Sequence, residues 1–468
     1  MPTTLTKKGI SVTFAETLSY TTLHDGNFLV HVGTGSVTMT SYSPAATGSG
    51  AGPNAGTLRN GASINLPGQN EIQPLVPGDP FDGRTNYGTA HSVVLPQTCV
   101  AGDSVVVAKS APEGVGVGRT RSSYWSVNGD SYVDEMLSIV FVSYAAQSEP
   151  LLRPLGLGAG PCQVIRASYI LRESQMDLAN KLPSVIDLST LGVSAPAWST
   201  LEALVSDFCG AVRGGWPVRF VVPQYQHPGY GTIAQGLFST CYVMLCSTES
   251  VATKTALARS LVQWGLDMAG AYLDGRLTEP NGGNIQGCRG LIVFAGHMLG
   301  IPAMKFPDLV FGEDRFADTR RIVPFDPLFV GATGSIDAAS PAQWWWGSPE
   351  WLYRWDFVPG GAGSGWGDFQ RYAPANWTGP ESIHSTQRFG MQYISQVAGC
   401  HIGQVLAFQL MGLRSSMGEP YMTFHEDWME NPPPSSALAE LAAVSTAMGS
   451  ITWGDDYVEG LPAGFNKA

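Results

Sequence analysis

Charge is scarce in this sequence: Asp, Glu, Lys and Arg make up 14% of 468 residues, against 44% hydrophobic residues. Such a surface draws its polarity from Ser, Thr, Asn, Gln and Gly, which suits extracellular proteins and virion parts. Basic clusters are missing as well. With 26 Lys+Arg against 38 Asp+Glu, a net charge of −12 and no Lys/Arg run longer than two, the chain lacks the concentrated basic face that counterion release requires, so nucleic acid is excluded as a partner. No C-x-x-C pair occurs among Cys99, Cys162, Cys209, Cys241, Cys246, Cys288 and Cys400, and no HxxxH or HExxH among the eight histidines. A zinc framework and a catalytic metal are therefore not expected, the cysteines read as mostly buried thiols, and no cofactor is expected. No stretch approaches the roughly 20 apolar residues of a bilayer span. The N-terminal MPTTLTKKGISVTF carries no apolar h-region behind its lysines, so no secretory signal is expected. The expected setting is a virion or the extracellular space, reached without a signal peptide, for example by assembly into a phage particle.

What is present is a change of hydrophobic period. From residue 9 to about 144 the period is two: GISVTF, NFLVHVG, SVTMT, HSVVLP, DSVVVAK and MLSIVFVSY are short β-rich runs bounded by Gly, Pro and Asn. His24-Asp25-Gly26-Asn27 supplies the Asp-Gly pair favoured by a tight hairpin turn. Residues 43–57, rich in Ser, Gly, Pro and Ala, read as a loop within this part. The Pro-rich segment 147–161 marks the boundary. Beyond it the period is about 3.6, with Leu257, Leu261, Trp264, Met268 and Ala271 forming one stripe and Met391, Ile394, Ala398, Ile402 and Val405 another. Shorter helices are expected at 197–209, 232–246, 287–299 and 434–448. The expected organisation is multidomain, β then α: a β-sandwich over residues 1–150, a linker at 151–165 and a helical domain at 166–468 with long aromatic loops.

Candidate chemistry gathers in the second part. The stretch 281-NGGNIQGCRGLIVFAG-296 runs from a glycine turn into a buried helix, whose start offers unpaired N–H donors to an oxygen-rich ligand. Asn284, Gln286 and Arg289 stand around that opening; a polar cap on a glycine turn is the simpler alternative. Glu313 and Asp314 adjoin each other in FGEDRF. Adjacent residues in extended chain point apart, so they cannot together be the acid and base that glycoside cleavage needs, and Glu350 or Asp267 is the better partner for one of them. Surface acids or helix caps are the competing reading of each. His401 and His297 lie beside apolar stripes, where a satisfied core histidine competes with a base. Aromatic residues crowd between 344 and 377, Trp345, Trp351 and Tyr353 among them, at no helical or strand period. Partly exposed rings there, with Arg354 beside them, would stack on the C–H faces of sugars; rings that lock long loops to the helices are the alternative.

The ordered segments VQWGLDMAG, NGGNIQGCRGLIVFAGHMLG, FGEDRFADT, SPEWLYRW, QVAGCHIGQVLAFQLMG and FHEDWME resemble a family of uncharacterised bacterial and phage proteins, often secreted, with a β-domain before an α/α-toroid. The corresponding family segments read QxGID, NGGHxQGRKxPIxFAG, FxEDxxTxYV, PEWGIRH, TAxxWxGQxLAxxLMG and FDYxDRWM. The resemblance spans roughly residues 9–430 and is densest from Val262 to Met429. It implies a six-hairpin, glycosidase- or lyase-like toroid with a ligand cleft at one mouth of the helix ring. Two positions depart from the pattern: Asn284 stands where the family has His, and Gly290 where it has Lys. A polysaccharide-binding and polysaccharide-degrading protein, hydrolase or lyase, is therefore expected, with Glu350, Glu313, Asp314, Asp267, Arg289 and His401 as catalytic candidates. Asn284, Gln286, Trp345, Trp351, Tyr353 and Arg354 are the substrate-binding candidates. The alternatives are a non-catalytic tail fibre or spike that binds surface glycans, and an interaction protein with no glycan ligand. Expected partners are a surface polysaccharide and, in a particle, other virion proteins or further copies of this chain.

Overall fold

A computed structural model describes residues 1–46, 60–64, 93–111, 132–154, 170–190, 195–206, 232–273, 288–307, 401–418, 421–422 and 425. The N-terminal part forms two sheets. The first is antiparallel, in the order β1 (Thr3–Lys7), β2 (Ile10–Phe14), β5 (Ser36–Ser43), β7 (Gln97–Val100). The second runs β3 (Tyr20–Thr22), β4 (Phe28–His31), β9 (Tyr132–Val142), β8 (Ser104–Ala111), β6 (Gly61–Ile64), with β4 and β9 parallel. Alternation sets which face is buried. Ile10, Val12 and Phe14 point inward on β2, Leu137, Ile139 and Phe141 do so on β9, and the two sets share one core. Phe14 and Phe141 meet edge to face across it, at 5.9 Å between ring centroids.

The second sheet is covered on both faces. Val140 and Val142 leave the shared core and pack with Leu23, Leu29 and Leu151 on the other side, which is why β9 reads as a nearly continuous apolar run. Leu151, Leu152 and Arg153, from the Pro-rich segment, are all buried. Leu151 bridges Arg172 in antiparallel fashion, and the Leu152 N–H bonds the Leu171 carbonyl. Residues 151–153 and 171–172 thus meet in a packed contact.

The helices come later in the chain, as the change of period implies. They are α1 (Leu178–Lys181), α2 (Trp198–Val205), α3 (Thr232–Leu245), α4 (Val251–Leu273), α5 (Cys288–Leu299), α6 (Pro302–Lys305), α7 (Ile402–Leu410) and α8 (Arg414–Met417). Leu257, Leu261, Trp264 and Met268 are buried along α4. The expected helix at 434–448, and residues 391–400 of the expected long helix before Ile402, lie outside the described residues. Among the described residues no helix is long and apolar enough to cross a membrane. Cys99, Cys241 and Cys246 are free and buried, and burial pushes the Cys99 and Cys246 thiols up to about 12.

Helices α4 and α5 approach closely because Gly265 has no side chain. A Cβ there would lie 2.2 Å from the Leu291 carbonyl oxygen and 2.4 Å from the Ala295 Cβ. Alanine favours an isolated helix over glycine by roughly 1 kcal/mol, but here it would drive two backbones apart. Gly265→Ala is expected to destabilise the protein by about 1–3 kcal/mol. Chemical denaturation checks this, and a variant as stable as the parent would show that the helices are not in this contact.

Candidate functional site

The three described candidates fall into two buried polar clusters. The first contains Asp267. Two residues along a helix is about 200°, so with Gly265 against α5, Asp267 faces the opposite side of α4. There it receives both ends of the Arg153 guanidinium, Nη1 to Oδ1 and Nη2 to Oδ2, each at 2.9 Å. Gln263, one turn earlier, accepts the Arg153 backbone N–H at 2.8 Å and donates Nε2–H to its carbonyl at 2.9 Å. The Arg153 Nη2 also lies 3.5 Å from Oδ2 of Asp25, in the β3–β4 turn. Asp25, Arg153 and Asp267 thus join the sheets to α4 through one fully buried contact.

Burial pushes the Asp267 carboxyl up to about 7, the Asp25 charge adds to this, and Arg153 and Gln263 oppose it. At Asp25 burial acts in the same upward sense, but Arg153, His24, Lys7 and the Asn27 hydrogen bond outweigh it, and that carboxyl is held below the usual range. One guanidinium between two sealed carboxylates holds the better-compensated one ionised and leaves the other the weaker acid. With both oxygens engaged by Arg153, Asp267 acts as a joint between two parts of the fold.

The second cluster is built around His401, with Arg289 at its edge beside Gly290. Arg289, in the first turn of α5, is 1% exposed and donates Nη2–H to the Ser416 carbonyl at 2.8 Å, in the last turn of α8, where carbonyls lack helical partners. Next to it, Gly290 gives way to Gln404 of α7: a Cβ at 290 would sit 2.1 Å from Gln404 Oε1. Gly290 is thus the position over which Gln404 lies. Gln404 donates Nε2–H to the Tyr421 hydroxyl at 2.8 Å, and that hydroxyl is 2.8 Å from Nδ1 of His401, which directly precedes α7. His425 closes the group, its Nδ1 2.8 Å from the Tyr421 carbonyl and its ring 4.5 Å from the Tyr421 ring. A carbonyl only accepts, so His425 carries its proton on Nδ1 and presents a lone pair at Nε2. His401, Gln404, Tyr421 and His425 are all fully buried. Burial holds His401 well below its ordinary value, the His425 charge adding to this, and takes His425 down to about 4 against the pull of its backbone hydrogen bond. Both imidazoles are therefore neutral at ordinary pH.

Gln404, Tyr421 and His425 are absent from the candidates drawn from the sequence. Tyr421 and His425 stand four apart, the spacing that puts two side chains on one helical face, and that spacing was the available signal. His297, the other histidine beside an apolar stripe, is half-buried and lies 3.4 Å from the Lys181 carbonyl, while Lys181 Nζ donates to the Met298 carbonyl at the end of α5. Glu350, Glu313, Asp314, Asn284, Gln286, Trp345, Trp351, Tyr353 and Arg354 lie outside the described residues. Among the described residues no group of three or more His, Cys, Asp or Glu could hold a metal ion. Neither a family model, nor a curated protein, nor a solved structure matches the chain.

Proposed function

We propose that this is a carbohydrate-active protein of a virion or the extracellular space, whose helical part is an α/α-toroid that binds a polysaccharide and cleaves it by elimination. The observation that carries this reading is the buried hydrogen bond between His401 and the Tyr421 hydroxyl, which Gln404 also reaches from its place over Gly290, the residue after Arg289. Cleavage of a uronic-acid chain by elimination requires a group that removes the proton beside the carboxylate, a donor for the departing glycosidic oxygen, and a cation near the sugar carboxylate. A neutral imidazole bonded to a phenol, with Arg289 beside the Gly290 over which Gln404 lies, contains those group types. Hydrolysis by paired carboxylates has less support among the described residues, because Asp267 is committed to Arg153. The aromatic residues between 344 and 377 would provide the stacking surface, as their sequence suggests.

Incubation with acidic and neutral bacterial surface polysaccharides tests this. New reducing ends together with the ultraviolet absorbance of unsaturated uronates are expected, and Tyr421→Phe should lower kcat by about 10²–10⁴-fold with the fold intact. Reducing ends without that absorbance would replace elimination by hydrolysis. Binding without any cleavage would favour a glycan-binding fibre, the reading to which Asn284, in place of the family's histidine, already points. Absence of binding to every polysaccharide would remove the carbohydrate reading.

A further inference from the structure

His24 poses a separate problem, independent of the carbohydrate reading. It precedes Asp25 in the β3–β4 turn, and both its ring nitrogens are sealed from solvent with no hydrogen-bond partner. A buried imidazole that bonds to nothing loses its hydration without return. Its charged surroundings come from every element that meets at the junction: Lys7 at the end of β1, Asp25 in its own turn, Arg153 in the connecting segment, and Arg259 on α4. Arg259 in turn pairs with Glu173 at 3.1 Å, and Arg153 with Asp267 at 2.9 Å. Among the described residues, three cations, Lys7, Arg153 and Arg259, thus act on His24, and Asp25 is the one carboxylate that favours its charged form.

We propose that His24 is an acid-responsive latch between the sheets and the helices: its protonation adds a cation beside Lys7, Arg153 and Arg259, and the β3–β4 turn leaves the junction, parting Asp25 from Arg153. An imidazolium must donate from both nitrogens, and in the closed junction neither finds an acceptor, so the ring gains hydrogen bonds only by moving to water. Burial, with Arg259, Arg153 and Lys7 against the single pull of Asp25, brings the closed-state imidazole down to about 4. In the open turn it returns to the ordinary value near 6.5. Between those two values each unit of acidification favours the open form by about tenfold. Arg153 stays on Asp267 through its two hydrogen bonds when the turn departs, so Asp267 remains buried and paired in both forms and holds its proton alike in each.

Amide hydrogen exchange reads the latch directly. The Ser138 N–H on β9 is held by Asn27 Oδ1 of the turn at 2.8 Å, so it reports on the closed junction. After allowance for intrinsic exchange, its protection should fall about tenfold per pH unit below 6.5 in the wild-type protein, while amides of β2 and β8 in the shared core keep theirs. In His24→Gln, which cannot titrate, protection of Ser138 should be flat with pH; His24→Asn serves if the glutamine variant fails to fold. Flat protection in the wild type, or the same slope in both variants, overturns the proposal. So does a wild-type His24 that titrates near 6.5 by NMR while the junction stays closed.

Discussion

Arg153→Met is expected to cost about 3–5 kcal/mol of stability, the range for removing one partner of a buried ion pair. The guanidinium is the countercharge of two carboxylates with no access to solvent, Asp25 and Asp267. Methionine fills similar space but supplies no donor. The two Gln263 hydrogen bonds go to the Arg153 backbone, so they survive the substitution and the loss isolates the guanidinium. Adding Asp267→Asn to Arg153→Met should recover part of the deficit, because a neutral amide tolerates burial better than an orphaned carboxylate. Denaturant unfolding of the parent, the single variant and the double variant makes the comparison. If Arg153→Met lies within about 1 kcal/mol of the parent, the range of a solvated surface pair, the contact is not buried as described.

Much of the architecture is legible in the sequence, because period two and period 3.6 are local properties. The β2 and β9 alternations, the Asp-Gly hairpin turn and the α4 stripe can all be read within a few residues of themselves. Arg153 cannot. It stands alone in a Pro-rich segment that reads as punctuation, and its partners lie at residues 25 and 267, joined to it only by the folded chain. A weaker signal existed on α4: Gln263 and Asp267, a turn apart, flank Trp264 on a helix whose stripe is otherwise apolar, and a carboxylate so placed needs a buried partner. As an isolated acid, Asp267 resembled a catalytic group. Of the second cluster, Arg289 and His401 were recoverable because they belong to distinctive motifs. Gln404 was not, since its role depends on Gly290 having no side chain, which is a contact between two helices far apart in sequence.

Acidification should destabilise the helical core steeply, and the sign follows from the buried histidines. In the folded protein His425 is held down at about 4 and His401 also well below its ordinary value, burial being the main cause for both. Unfolded, each titrates near 6.5. As pH falls below that value the unfolded chain takes up protons that the folded one refuses, so the stability held above about 6.5 is lost progressively down to about 4. For His425 alone the full loss is about 3 kcal/mol, at about 1.4 kcal/mol per pH unit. Asp267 runs the other way: raised to about 7, its contribution is full below the unfolded carboxylate value and lost as pH rises through 7. With His24 also held at about 4, three histidines against one aspartate leave a net loss of about 3 kcal/mol per unit between pH 6 and 4, and the profile should peak just below neutrality. Unfolding midpoints in urea at pH 7.5, 6, 5 and 4 would show it as a dome falling on the acid side. His425→Gln removes one of the three histidine contributions and should lower the slope of that limb by about 1.4 kcal/mol per unit. Wild-type stability that holds constant or rises from pH 6 to 4 would mean that these imidazoles are solvated, and that the Tyr421 cluster is not the sealed site described.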